Sequence, residues 1–350
     1  MYGVVVRLLL ILHFIICVLT GCYAEQNKTP NDKRDIMSQS IDTSNWETHC
    51  IGQYLIDLPP GVTGGDGETF IQGSKISWLK SIKTKEQFYL AITDKENRQK
   101  SRIREDKTPY FIKKIEYSNG KGIGILSYST GSNNPIGYSL WNVFVTEKPF
   151  RVFEYPVGKI YDYNIDEKLK FSAALSQAVQ GFNSMSPPMG KGLCIDGGFL
   201  AGEYASEDTW AHFYYPYYSK NYYLMIGIIS DVRTKKMTRS LKSDTVLPVK
   251  KGHKVLRDRW VSFNGVNGEE YSVKNSGDDE IPYPFTNYVL EWEIKGEPQD
   301  YNSPRVHIIM QILEKDHKIH MTKSDQYLQF ANDEMALKYW DTLLGTIRKR

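Results

Sequence analysis

The chain has 350 residues, 41% of them hydrophobic and 24% charged, with a formal net charge of +3. That composition is globular and excludes a disordered chain. So near-neutral a balance does not suggest a nucleic-acid binder, which would carry a basic stripe, and the length allows one or two domains.

The first segment is for targeting. Arg7 supplies a positive n-region and Leu8 to Leu19 an apolar core too short to span as a stop-transfer helix. It ends in Leu19-Thr20-Gly21-Cys22, which resembles the bacterial lipobox: an aliphatic residue, two small residues, and the cysteine that receives the lipid. Residues 1–21 thus read as a lipoprotein signal peptide and Cys22 as the lipidation site. An ordinary secretory leader with a chance cysteine is the alternative. Position 23 is Tyr and not Asp, which by the family rule for such anchors favours the outer membrane. Residues 22–45 are polar and aperiodic, a flexible tether.

The first domain is expected over 46–185. It opens on Thr48–Gly61, THCIGQYLIDLPPG, read as one strand stopped by Pro59, Pro60 and Gly61. A glycine-rich turn at 64–67 and a strand near 69–79 follow. Thr84 and Gln87 form a capping box for a helix over 85–104, with Phe88, Ile92 and Ile103 on its buried side. Strands are expected at 110–117, 123–129, 138–147 and 151–155, then a helix over 165–182 with an apolar stripe of Leu169, Ala174, Leu175, Ala178, Val179 and Phe182.

Ser184–Gly192, with two prolines and two glycines, reads as a linker. The second domain, 193–350, opens on Leu193–Glu203, LCIDGGFLAGE, a weaker echo of the first opening strand. Further strands are expected at 209–215, 222–230, 255–263, 269–274, 287–295 and 305–313. A closing helix over 333–348 carries Ala336, Trp340, Leu343, Leu344 and Ile347, with Arg348, Lys349 and Arg350 complementing the negative end of its dipole. The fold class is therefore α+β: two successive domains, each a mainly antiparallel sheet with one closing amphipathic helix.

Of four cysteines, Cys17 leaves with the leader and Cys22 takes the lipid, so Cys50 and Cys194 remain in an oxidising compartment. Equivalent positions in two domains usually lie in separate cores. Two buried thiols are the first reading and an inter-domain bridge the second.

The two cysteine motifs, their order and the lipobox together resemble a known family: the type VI secretion immunity lipoproteins that neutralise a phospholipase effector of the fourth lipase class. The carrying residues are Cys50-Ile51-Gly52 with Asp57-Leu58-Pro59, and Cys194 to Gly198 preceded by Gly192. The resemblance spans about 48–347. It implies a two-domain clamp that binds a cognate phospholipase one-to-one in the periplasm and blocks its active-site entrance. The motifs look structural and carry no functional residue across.

Catalytic patterns are weak. Gly137-Tyr138-Ser139-Leu140-Trp141 lacks the second glycine of a lipase nucleophile elbow and falls in a strand pattern. His317 and His320 are three apart, not the four of a helical zinc motif. His49, His212, His253 and His307 are isolated, and Asp278-Asp279-Glu280 lacks calcium-loop spacing. Neither enzyme activity, metal nor cofactor is expected. For partner binding, His212–Tyr223 holds Tyr214, Tyr215, Tyr217, Tyr218, Tyr222 and Tyr223. It reads first as a hairpin of ordinary tyrosine-rich strands and second as an exposed aromatic recognition tip, with Tyr217 and Tyr218 at the turn. The loop 276–285, with Asp278, Asp279 and Tyr283, is a further candidate. The competing function is an envelope lipoprotein that holds a small molecule or cell-wall component in the inter-domain cleft.

Overall fold

The structure, a computed structural model, describes residues 41–350 except 62, 65–66, 118–119, 134–135, 183–189, 205–206, 217–221, 234, 245–252, 276–286, 315–329 and 331. The expected signal peptide, Cys22, most of the expected tether and most of the expected linker lie outside the described residues.

The opening stretch is a hairpin, not one strand. Strand β1 (Glu47–Ile51) pairs antiparallel with β2 (Tyr54–Leu58), Ile51 opposite Tyr54, so the chain reverses at Gly52-Gln53. A two-residue turn demands left-handed backbone, and Gly52 supplies it at φ +55. Space demands glycine too, because a Cβ there would lie 2.7 Å from the Cβ of Ser230. After β3 (Thr63–Gly64), the single strand expected near 69–79 is likewise a hairpin of β4 (Glu68–Ile71) and β5 (Ser74–Trp78). Its turn residues Gln72 and Gly73 both have positive φ, as a type I′ turn requires.

Helix α1 (Lys85–Ser101) starts where the capping box puts it: Thr84 Oγ1 accepts from the Gln87 N–H at 3.3 Å, and the Gln87 side chain accepts from the Thr84 N–H. Phe88 and Ile92 are buried; Ile103, expected beside them, lies past the helix end and is exposed. Strands β6 (Phe111–Tyr117), β7 (Gly122–Asn133), β8 (Ile136–Glu147) and β9 (Phe150–Ile160) form a meander. Helix α2 (Ile165–Ala178) buries Leu175 but leaves Ala174 exposed, and the chain then turns into strand β10 (Val179–Gly181).

The second Cys-Ile stretch is also a hairpin, β11 (Gly192–Ile195) and β12 (Gly198–Ala201), reversing at Asp196-Gly197 with Gly197 at φ +72. There follow β13 (Glu207–Pro216), β14 (Tyr222–Val232), the short α3 (Leu241–Asp244), β15 (Lys254–Phe263), β16 (Val266–Asn275), β17 (Asn287–Ile294), β18 (Arg305–Glu314), α4 (Asp333–Gly345) and β19 (Arg348–Lys349).

The architecture is mainly antiparallel sheet with few helices, compatible with α+β. Among the described residues one thirteen-stranded sheet runs β15-β16-β17-β18-β14-β13-β4-β5-β9-β8-β7-β6, with β3 beside β13; two three-stranded sheets are β1-β2-β19 and β10-β12-β11. Strand pairing crosses the expected boundary repeatedly: β4 with β13, β10 with β12, β2 with β19. Residues 43–350 are one compact unit.

Helix α4 buries Ala336, Tyr339, Trp340, Leu343 and Leu344 in one stripe. Asn332 caps it, accepting from the Met335 N–H at 2.8 Å. Burial raises the Asp333 pKa, but Lys254, Lys274 and Tyr288 bond the carboxylate and hold it down to about 2. The expected basic cap at the helix end is something else. Arg348 and Lys349 leave the helix, form β19 against β2, and Arg348 grips Asp57 through two nitrogens at 3.0 Å each. A bidentate fork has geometric specificity that a dipole contact lacks, and it ties the C-terminus to the opening hairpin.

Candidate functional site

The two Cys-Ile hairpins meet. The Gly52 N–H donates to the Cys194 carbonyl at 3.3 Å, and the Cys194 N–H to the Gly52 carbonyl at 2.8 Å. This backbone pairing sets Cys50 and Cys194 5.7 Å apart at Cα, joined as a disulfide across 144 residues of sequence. The expectation of two separate buried thiols is thus corrected. Equivalent motifs do not occupy separate cores here; they face each other across one seam.

Beside the disulfide lies a cavity of about 520 Å³, lined from both halves of the chain by His49, Trp78 and Arg151 on one side and Asp196, Trp210 and Phe213 on the other. The Arg151 guanidinium lies over the Trp78 ring at 4.4 Å and donates to the Gly197 carbonyl. Lys80 pairs with Asp196 at 3.0 Å. His49 packs edge-on against Phe213 with ring centroids 5.0 Å apart. Burial lowers its pKa, and its buried Nε2 has no hydrogen-bond partner among the described residues. Aromatic walls with few polar groups can bind an apolar guest. The cysteines, being joined, supply no thiolate.

Next to the seam sits a buried carboxyl. Glu207 on β13 is 3% exposed, and burial pushes its pKa up to about 8. Gln53, in the first hairpin turn, reaches it at 3.5 Å and donates to the Tyr301 carbonyl at 2.7 Å. Tyr301 in turn bonds Gly192 at the start of β11, its hydroxyl donating to the carbonyl and accepting from the N–H. Three distant segments are so pinned at one point.

Of the sequence-predicted partner residues, Tyr214 is half-buried on β13 in a row with Trp210 and His212; the ring centroids are 4.9 Å apart from Trp210 to His212 and 6.3 Å from His212 to Tyr214. Tyr215 faces the opposite side of the strand. It is 2% exposed and its hydroxyl donates to the Pro59 carbonyl at 3.3 Å. Tyr215 is therefore core, and its assignment to an exposed tip is corrected: strand alternation sends one of two adjacent tyrosines inward. Tyr217, Tyr218, Asp278, Asp279 and Tyr283 lie outside the described residues, as do His317 and His320. Ser139 sits within β8 opposite Ser127, a strand position and not a strand-to-helix elbow.

His307 is neither isolated nor on the surface. It is buried with Nε2 3.0 Å from Glu291 and Nδ1 3.2 Å from Arg305, which also bonds Glu293 at 2.5 Å and Asp231 at 3.1 Å. Among the described residues no group of three or more His, Cys, Asp or Glu is arranged to hold a metal ion. Sequence reading missed His49, Trp78, Arg151 and Trp210 as neighbours. The signal that could have found them is the pairing of the two cysteines, which brings their flanks together.

Residues 186–350 match the family model of the Tle cognate immunity protein 4 C-terminal domain. Among solved structures the chain is similar to the apo immunity protein TplEi of the T6SS from Pseudomonas aeruginosa, at 23% identity and a TM-score of 0.72 over 89% of this chain and 99% of that one. It is similar, at 22% identity and a TM-score of 0.72 with the same coverage, to a chain of the Tle4–Tli4 complex. TplEi complexed with an "L" peptide gives 24% identity and a TM-score of 0.66 over 88% and 99%. No curated protein matches the chain. Over residues 186–350 the chain is thus similar to the Tle cognate immunity protein 4 family, and it shares the fold of these solved immunity proteins.

Proposed function

We propose that this chain is a periplasmic immunity lipoprotein that binds a cognate type VI phospholipase one-to-one and occludes the entrance to its active site. The observation that carries the reading is the family match of residues 186–350. In this account the lipid on Cys22 holds the protein at the outer membrane and the tether lets the body reach its partner. The halves 46–185 and 193–350 act as two gripping surfaces of one body, each backed by its amphipathic helix, and the protein has no turnover of its own. Inhibition by occlusion requires tight binding and slow dissociation.

The test starts from the neighbouring coding sequence, which should carry a Gly-x-Ser-x-Gly elbow. Cells that direct that lipase to the periplasm should survive when they make this chain and lyse when they do not. Cys22→Ala should block processing and release the protein from membranes. Survival that does not depend on this chain counts against the reading.

The seam cavity favours a second reading, a lipoprotein that holds a small molecule there. It predicts that Trp210→Ala leaves lipase protection intact and abolishes retention of an endogenous ligand through purification.

A further inference from the structure

A second concavity, on the N-terminal half, shares no lining residue with the seam cavity. It encloses about 940 Å³ between helix α1, the β8–β9 turn and the α2–β10 junction. Val145, Phe150 and Val179 line it with apolar surface, and Tyr89 of α1 adds an aromatic ring. Tyr89 is 48% exposed and the adjoining Leu90 61%. Lys85, Lys121 and Lys148 also line it, all three exposed. None of the three has an ion pair or side-chain hydrogen bond among the described residues, whereas Lys75, Lys80, Lys100 and Lys114 of the same half each reach a carboxylate. The lining holds one carboxylate, Glu147.

A groove with an apolar patch, Thr146, Gln177 and Gln180 beside it and unneutralised cations around it is complementary to a segment that is acidic and carries an apolar side chain. We propose that this groove docks an acidic segment of the effector, with an apolar residue seated against Phe150 and Tyr89. The inference rests on the immunity reading and adds to it a contact on the half that the family model does not cover. A bilayer fits less well: a flat surface would meet Tyr89 and Leu90 but leave the concave floor unfilled. Three free lysines also steer an acidic partner from a distance, so the contact should act chiefly on the association rate.

The experiment measures association of the intact mature chain with the neighbouring lipase at low and high salt. It compares wild type, Lys85→Glu/Lys121→Glu/Lys148→Glu, and the matching triple Arg variant; circular dichroism checks that these surface changes leave the fold intact. The Glu variant should associate about tenfold more slowly at low salt and lose most of the salt dependence, while the Arg variant keeps both. A Glu variant that associates at the wild-type rate with the wild-type salt slope overturns the groove proposal and leaves the immunity reading standing. Failure of wild type to bind the lipase removes both. Phosphatidylglycerol vesicles form a separate arm: vesicle binding lost in the Glu variant, with lipase association unchanged, makes the occupant a lipid surface and overturns the proposal.

Discussion

The two halves of the long sheet are filled with different material. Among the described residues 43–182, the buried polar side chains are all uncharged: Gln53, Thr69, Ser127, Asn142, Thr146, Ser172 and Ser176. The sheet there is packed on both faces by apolar clusters, Phe144, Phe153, Tyr155 and Leu175 in one and Phe88, Ile92, Val143 and Val152 in the other. Beyond residue 190 the interior holds Glu207, Asp231, Glu269, Glu270, Glu291, Glu293, Arg305 and His307. Apolar packing is non-directional and tolerates rearrangement. Buried charges are costly unless paired. The C-terminal half therefore holds together through named partners: Glu270 meets Arg257, Arg259 and the Trp340 indole, and Arg305 meets Asp231 and Glu293.

The largest effect should come from breaking one of those partnerships. Arg305→Met leaves Glu293 buried without its cation and Asp231 with only the partly exposed Arg233, and should cost about 3–5 kcal/mol in urea unfolding. A cost below about 1 kcal/mol would mean that water reaches these carboxylates and that the contrast between the halves is false.

This contrast also explains what the sequence made legible. Many elements were readable: the capping box at Thr84, the helical stripe of α4, and the long strands of both halves follow local patterns, whereas the β4–β5 turn, β10 and β19 did not show in them. The cysteine motifs pointed to the family whose model residues 186–350 match, although their reading as single strands was wrong. A two-residue turn at Gly52-Gln53 and another at Asp196-Gly197 interrupt patterns whose alternation continues straight through. The buried charges were not readable. Glu269 and Glu270 are adjacent on β16 and both buried, on opposite faces, one against Lys295 and the other against Arg257 and Arg259. Pattern reading assigns charged strand residues to solvent, and only the tertiary partners reverse that. The half-buried Tyr214 and the buried Tyr215 differ for a similar reason, since their shared residue type hides which face of β13 is covered.

The seam between the halves should respond next. Cys50→Ser removes a cross-link spanning 144 residues, and the loss should be about 2–4 kcal/mol, largely through a freer unfolded chain. Alkylation of the native, unreduced protein should label neither cysteine. Labelling of Cys50 or Cys194 at wild-type stability would make the bridge dispensable.

Glu207 gives an effect absent in acid and confined to neutral and alkaline pH. Burial raises its folded pKa to about 8 from the ordinary carboxyl value of 4.5. The folded state thus holds a proton that the unfolded state releases, so its contribution is fully present below about pH 4.5 and is lost as pH rises toward 8. Glu207→Gln should remove that loss. The variant should match wild type in acid, gain on the order of 4 kcal/mol at pH 9, and show a flatter stability profile between these limits. A gain of equal size at pH 4 and pH 9 would mean that the carboxyl is ionised throughout.

The central claim is stoichiometric occlusion, and a titration tests it most directly. The purified soluble body, residues 46–350, is added to the neighbouring lipase at a lipase concentration well above the dissociation constant, and phospholipid hydrolysis is followed. The account predicts a linear fall in activity that reaches zero at one equivalent, with the inhibited complex running as a single one-to-one species. Activity that persists beyond several equivalents, or inhibition that this chain achieves at far below one equivalent by turning over, would contradict it.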